Sequence, residues 1–328
     1  MKRLVAMTAL TLAAAVGLST AGISTSAVAG ATMSFAVIGD IPYGSTQLSQ
    51  FPGRIDQINA DPQVQLVSHL GDISEPVNCT TTYYKTIKSK FDRFADPLVY
   101  TPGDNEWADC SRATYGAANP LERLGVLRKT FFPTPGQTLG KAPISVTAQS
   151  GYPEDVRFNK GGLTFAALHI VGSNNDLKPW KDCTVPTSAQ LAEVNARTKA
   201  VISLIGSTFA QAKTNNSRAV VLFTQADMFD SSRNGPTYHT AFTKIVRALA
   251  SASLSFNRPV FLFNGDSHHY RKNTPLTYSS WLAYYGLTTP VPKLTRVTVE
   301  GGATVDEWVK VNVVADASVL QIQRILFK

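Results

Sequence analysis

Long apolar runs are scarce in this chain. Beyond the first 29 residues, no segment reaches the ~18 continuous apolar residues that a membrane-spanning helix needs, so no membrane span is expected there. Charge is thin as well: 16% of the 328 residues are charged, and the net +8 is spread without any run of Lys or Arg. That leaves no electrostatic footprint for nucleic acid. Only three cysteines occur, irregularly spaced and without a Cys-x-x-Cys, which argues against a thiolate zinc site. The chain has no G-x-S-x-G elbow, no Walker loop, no G-x-G-x-x-G and no H-E-x-x-H, so the usual signatures of serine hydrolases, P-loop enzymes, dinucleotide binders and zincins are missing. Internal repeats, heptads and linkers are also lacking, which favours one domain.

The N-terminus holds the one sustained apolar run. Lys2 and Arg3 precede Leu4 to Leu18, and a small-residue stretch ends in Ala27-Val28-Ala29. This is the layout of a secretory signal peptide, residues 1–29, cleaved after Ala29; an uncleaved anchor is the other reading. The expected destination is export, periplasmic or extracellular. Residues 30–328 suffice for one large domain with a buried core. The leader takes two basic residues and no acid, so the remainder carries about +6, a mild general attraction for anions.

Apolar runs at 33–39, 64–70 and 97–101 read as strands, with helical stretches at 47–59 and 80–94 between them. This βαβαβ rhythm predicts a buried parallel sheet. "VRFNK" and "LTFAALHIV" flank Gly161-Gly162 and read as a hairpin. The clearest helix is 188–213: Thr187 and Gln190 have capping-box spacing. Leu191, Val194, Val201, Ile205 and Phe209 recur on one face. A strand at 219–224, a helix near 237–252 and a strand at 259–264 continue the alternation, and antiparallel strands are expected near 293–300, 306–314 and 318–327. The predicted fold is an α/β sandwich with two sheets inside and helices outside.

Four apolar runs stop at the same dipeptide: "FAVIGDIPY" at Asp40, "LVSHLGDIS" at Asp72, "VYTPGDNEW" at Asp104 and "VFLFNGDSHHY" at Asp266. With 22 glycines and 16 aspartates in 328 residues, chance gives about one Gly-Asp; there are four. Ligands of open α/β sheets bind beyond the carboxyl ends of the strands, so four such runs would deliver four carboxylates to one rim. Glycine permits a tight turn with positive φ and a close backbone approach. Packed carboxylates repel and are costly to bury unpaired; a hard divalent cation with oxygen ligands resolves the conflict. The competing explanation is that each Asp caps the following helix. Cys79 and Cys110 lie seven and six residues after Asp72 and Asp104, on what would be neighbouring loops. They could bridge in an oxidising compartment, with Cys183 left over, although either other pairing stays open.

In layout, these blocks resemble the calcineurin-like metallophosphoesterases, whose pattern runs Asp-x-His, Gly-Asp, Gly-Asn-His-Asp/Glu, a lone His, then Gly-His-x-His. The matching stretches are Asp40-Ile41-Pro42, Gly71-Asp72, Gly103-Asp104-Asn105-Glu106, Gln225 and Gly265-Asp266-Ser267-His268. The resemblance implies a four-layer α/β/β/α sandwich of two mixed sheets and two metal sites: Asp40 and His268 on the first metal, Asp72 bridging, Asp104, Gln225 and Asp266 on the second. It implies hydrolysis of phosphomono- or diesters of small molecules by hydroxide generated at the metal.

The chain departs from that pattern in ways that matter. Pro42 replaces a histidine ligand, and Tyr43 is the nearest substitute, as a ligand or a substrate contact. Gln225 offers a neutral oxygen where imidazole is usual. Asn105 stands where the family's histidine assists catalysis, yet an amide supplies no proton at neutral pH; His269 could replace it or play a structural part. Arg271 and Lys272 could bind phosphate from the rim or be solvated. Such an oxygen-rich shell suits one or two ions of Mn, Mg, Ca or Fe better than Zn. If turnover is lost, the same site would bind metal or phosphate without hydrolysis. Glu106 and Trp107 are expected to shape the third loop, His69 and His169 to be buried, and His239 to lie on the surface. No feature addresses oligomeric state.

Overall fold

β-branched and aromatic runs form the strands, and capped amphipathic segments form the helices that cover them. The computed structural model describes residues 33–112, 118–233 and 236–328; the expected signal segment, 1–29, lies outside the described residues. In chain order the first half is β1 (Met33–Ile38), α1 (Gly44–Asn59), β2 (Val64–His69), α2 (Thr81–Phe91), β3 (Leu98–Tyr100) and α3 (Pro120–Phe131). Then come β4 (Thr147–Gln149), β5 (Tyr152–Lys160), β6 (Leu163–Ala167), a short turn α4 (Gly172–Asp176) and the long α5 (Ser188–Thr214). The chain ends with β7 (Val220–Phe223), α6 (Pro236–His239), α7 (Thr243–Phe256), β8 (Val260–Asn264), β9 (Arg271–Asn273), α8 (Ser279–Tyr285), β10 (Leu294–Thr298), β11 (Glu307–Val313) and β12 (Leu320–Leu326).

Three helices, α2, α3 and α5, start where a side chain satisfies their free amides. Thr80 accepts from Tyr83 N at 3.1 Å before α2. Asn119 accepts from Leu121 and Glu122 before α3. Thr187 and Gln190 form the expected reciprocal capping box at α5.

The strands assemble into two mixed sheets, ordered β12-β11-β1-β2-β3 and β4-β5-β6-β7-β8-β10-β9. Three buried apolar layers define the stacking. Between the sheets, Phe35 of β1 sets its ring edge-on to Phe165, Phe223 and Phe263 of the second sheet, at centroid distances of 5.6, 6.0 and 5.9 Å. Outside the first sheet, Phe51, Ile55, Tyr84, Phe91 and Phe131 of α1–α3 cover β1–β3. Outside the second, Val201, Ile205 and Phe209 of α5 and Ile245 and Leu249 of α7 cover β6–β8. The α/β/β/α sandwich expected from the sequence is therefore present.

Three local expectations need correction. The segment 294–298 does not join an antiparallel tail: β10 runs parallel to β8 in the second sheet, while β11 and β12 pair antiparallel in the first. Leu191 leaves the core face of α5 and is 42% exposed: it sits in the first turn, where it lines a cavity instead of the core. His239 is buried, its ring 5.3 Å from Trp281 and 5.7 Å from Tyr284; aromatic packing from α8, distant in sequence, covers it.

His69 and His169 are buried as expected, and His169 anchors a polar network in the second sheet. Its Nδ1 lies 2.9 Å from Glu154 Oε1, which also receives Arg128, and its backbone amide donates to Asp155 Oδ1 at 2.7 Å. Burial and then the neighbouring Glu154 charge push the Asp155 carboxyl up to about 8. An acid whose folded pKa lies above its unfolded value holds a proton that the unfolded chain releases, so stability falls as pH rises from about 4 to about 8. Asp155→Asn keeps the acceptor for the His169 amide and removes this titration. In urea unfolding, the variant should gain on the parent as pH rises, by about 1–3 kcal/mol more at pH 7.5 than at pH 5. Parallel pH profiles for the two proteins would contradict this account.

Candidate metal centre

β1, β2, β3 and β8 all deliver a Gly-Asp to the same rim. The backbone achieves this differently from the sequence expectation. At three of the four the aspartate itself adopts positive φ, 52° at Asp40, 52° at Asp72 and 71° at Asp266, with His268 at 62°. Gly71, φ 86°, is the preceding glycine that shares this conformation. Non-glycine residues in the left-handed region are strained and cluster at functional sites.

The glycines mainly provide room. A Cβ on Gly103 would sit 2.0 Å from Asp72 Oδ1, and one on Gly265 would sit 2.2 Å from Asp40 Oδ2. Each glycine thus makes space for the carboxylate of a different block.

None of the four aspartate side chains caps its own following helix. α1 begins at Tyr43 without a side-chain cap, and Thr80 caps α2. The carboxylates accept from one another's loops instead. Asp40 takes the Asp266 amide at 3.0 and 3.2 Å, Asp72 takes the Asn105 amide at 3.2 Å, and Asp266 takes the Asp227 amide at 3.2 Å.

The convergence is tight. One ligand atom each of Asp40, Asp72 and His268 lie within 4.8 Å of one another. His268 Nε2 is 3.4 Å from Asp40 Oδ1. Gln225 Nε2 reaches Asp72 Oδ2 at 3.3 Å and Asp104 Oδ1 at 3.1 Å. Asp104 Oδ2 and Asp266 Oδ1 both come close to where a Gly172 Cβ would stand, at 2.8 and 2.9 Å.

Burial, followed by the Asp104 charge, raises the carboxyls of both Asp72 and Asp266 well above the usual carboxylate range. Burial pulls the His268 imidazole down, but its contact with Asp40 and that charge outweigh it and leave it above the ordinary histidine value. Tyr43 lies just beneath, its hydroxyl 3.2 Å from Asp72 Oδ2 and 3.5 Å from His268 Nε2. Burial and Asp72 raise that phenol far above its normal range, so it stays protonated and donates to Asp72.

Donor atoms about 2–2.5 Å from one ion lie up to about 5 Å apart. The Asp40–Asp72–His268 trio fits that geometry, and its uncompensated carboxylates are what a cation would neutralise. The second position expected between Asp72, Asp104, Gln225 and Asp266 fits poorly. Gly172 N donates to Gln225 Oε1 at 2.6 Å; a backbone N–H only donates, so the carbonyl end of this amide is fixed there. The NH2 end must then point at Asp72 and Asp104. Gln225 presents N–H groups to the very carboxylates a second ion would use.

The remaining site candidates divide. Asn105 is buried beside the centre, but its Nδ2 donates to Tyr43 Oη at 2.7 Å and Ser74 O at 3.0 Å, so it positions Tyr43. Glu106 shapes the third loop by accepting from Gly103 N and Tyr100 Oη, each at 2.7 Å. Cys79 and Cys110 form the disulfide between the second and third loops, with Cα atoms 5.9 Å apart, and Cys183 is free and exposed. His269 is not brought to the centre: its side chain is 82% exposed, with Nδ1 3.7 Å from Glu300. Arg271, in β9 at the end of the second sheet, does not line the cavity above the carboxylates either. His269 falls in the bend after the turn at His268, and Arg271 opens β9 half-buried and away from the cavity lining.

Several contributors escaped the sequence reading. Gly301 and Gly302 press on Asp40 and His268, where Cβ atoms would stand 2.4 Å from Asp40 Cβ and 2.7 Å from His268 Nδ1. Asp227 holds the Asp266 loop through its amide and forms a buried pair with Arg296 at 2.6 Å. Arg112 and Arg233 line the cavity. The Gly-Gly pair following "RVTVE" was the one visible signal for the first of these groups.

No protein-family model matches the chain, and no curated protein matches it. Among solved structures, the fold is similar to GAP50, the anchor in the inner membrane complex of Plasmodium, at 8% identity and a TM-score of 0.47, covering 90% of this chain and 89% of that one. It is also similar to the protein TT1561 of Thermus thermophilus, at 10% identity and a TM-score of 0.46, covering 90% and 99%. Identity this low says nothing of the side chains at the centre.

If Gln225 excludes a second ion, Gln225→His should admit one, since imidazole offers an acceptor nitrogen in place of the NH2. Equilibrium dialysis with Mn²⁺ should read about one ion per parent chain and about two per variant. Two ions on the parent would contradict the assignment of the amide.

Proposed function

We propose that this chain is an exported phosphoesterase of the calcineurin-like metallophosphoesterase type, dependent on one divalent cation. The observation that carries the proposal is the meeting of Asp40, Asp72 and His268 within 4.8 Å at the ends of β1, β2 and the loop after β8. Two carboxylates and one imidazole suit Mn, Mg, Ca or Fe better than Zn. When bound there, such an ion would supply a Lewis acid for phosphate oxygens and a water of lowered pKa.

The chain's own residues supply the rest. Asp72, tied to Tyr43, Asn105 and Gln225, is held on three sides and orients the trio. Tyr43, fixed by Asn105 and donating its one hydroxyl proton to Asp72, lines the cavity floor and holds that carboxylate in place. Arg233 lines the same cavity and suits a phosphate anion. Neither Tyr43, with its raised pKa, nor Asn105 is a ready proton donor, so esters with good leaving groups are the expected substrates. Export is supported by the leader-like N-terminus and by the Cys79–Cys110 bridge, which suits an oxidising compartment. Among the described residues no helix is long and apolar enough to cross a membrane.

A second reading rests on Asn105. Both directions of its amide nitrogen are taken by Tyr43 and Ser74, leaving no acid at the position where the resemblance expects one. The chain would then bind metal and phosphate ligands without turning them over.

Asp72→Asn decides between a functional centre and an inert one. It should cut Mn²⁺ affinity and p-nitrophenyl ester hydrolysis by ~100-fold or more, because loss of even an outer partner of a metal site costs 10–100-fold. Bound Mn²⁺ on the parent with no ester hydrolysed would favour the binding reading. No Mn²⁺ bound would defeat both.

A further inference from the structure

The cavity above the carboxylates has about 810 Å³, room for far more than a phosphate group. Its wall includes Leu177, Pro179, Pro186, Leu191 and Tyr238 beside the polar floor. Leu191 and Tyr238 are 42% and 45% exposed, and Val77 and Val185, next in sequence to wall residues Pro76 and Pro186, are 49% and 67% exposed. Eight large hydrophobics are exposed among the described residues; Leu191 and Tyr238 line this cavity, and Val77 and Val185 each adjoin a lining residue in the chain. Single exposed apolar residues need no explanation, but a group around a cavity marks a binding surface.

Charge narrows the ligand further. Four carboxylates face at most one divalent cation, because the Gln225 amide stands where a second would be. Arg112 is committed to Asp109 at 2.5 Å and to Ser173 at 3.2 Å. Arg233, only loosely paired with Asp230 at 3.4 Å and with its side chain 50% exposed, and Lys178 are the cavity-lining cations placed to meet an anion, against the carboxylates of Asp72, Glu75, Asp104, Asp109 and Asp266 in the same lining. Such a centre has no surplus of positive charge, so a second negative charge on the phosphate would be unfavourable.

We infer that the ligand is a phosphodiester monoanion carrying an apolar or aromatic substituent, its phosphate toward Asp40, Asp72, His268 and Arg233 and its substituent along Leu177, Leu191 and Tyr238. This rests on the phosphoesterase reading. In the reaction, a P–O bond to the oxygen of water forms, the P–O bond to the departing alcohol or phenol breaks, and one proton of water goes to that oxygen or to solvent.

Three esters sharing one leaving group test the inference with Mn²⁺ present: p-nitrophenyl phosphate, methyl p-nitrophenyl phosphate and hexyl p-nitrophenyl phosphate. The expected order of kcat/KM is hexyl, methyl, then the dianion, with hexyl exceeding methyl by ~10-fold or more from burial of part of the added chain. Leu191→Asn, at an exposed first-turn position, should shrink the hexyl-to-methyl ratio. Turnover that favours the dianion, or ignores chain length, overturns the inference and leaves the phosphoesterase reading standing. Calorimetric binding of hexyl and methyl methylphosphonate covers the case in which no ester is hydrolysed. Tighter binding of the hexyl compound, weakened by Leu191→Asn, supports the ligand class without catalysis; equal binding overturns it. Competition by phosphatidylcholine vesicles against competition by thymidine 5′-p-nitrophenyl phosphate then separates a lipid from a soluble source.

Discussion

Four carboxylates held against one another at the edge of a sheet are the constraint on which the rest of this structure turns. Their mutual repulsion and burial are unfavourable, and the fold does not relieve them by local capping. It holds them by crossing hydrogen bonds, in which the Asp266 amide serves Asp40, the Asn105 amide serves Asp72 and the Asp227 amide serves Asp266. Strained left-handed backbone at Asp40, Asp72 and Asp266 aims the side chains inward. Such strain persists only where the surroundings fix it, and here the two stacked sheets supply that rigidity through the Phe35, Phe165, Phe223 and Phe263 layer. A divalent cation at Asp40, Asp72 and His268 is the simplest physical resolution of the stored repulsion.

The same constraint explains why glycine recurs. Gly103, Gly265, Gly172 and Gly301 each leave space that a methyl group would take from a carboxylate or its stem. The disulfide between Cys79 and Cys110 ties the second and third loops, both sulfurs lying near the Asn105 carbonyl at 3.6 and 3.7 Å. Loop connection and carboxylate placement are thus parts of one arrangement, with the cavity and its apolar mouth opening above it.

Much of this was legible in the residues because it depends on local periodicity and repetition. Apolar runs ending in Gly-Asp marked β1, β2, β3 and β8, and Thr187 with Gln190 marked the start of α5. What could not be read depends on contacts between distant segments. The direction of the Gln225 amide is set by Gly172, 53 residues away. The burial of His239 depends on Trp281 and Tyr284, and the exposure of Leu191 on the cavity that opens at the first turn of α5. Adjacency misled at His269, since the turn at His268 sends the next ring outward. The parallel pairing of β10 with β8 is a matter of sheet order that no local pattern encodes.

Anomalous diffraction from crystals grown with Mn²⁺ tests the central claim most directly. One peak should appear within bonding distance of Asp40, Asp72 and His268, with none between Asp104 and the Gln225 amide. A map with no peak at that trio, or with the ion held elsewhere, would contradict the account.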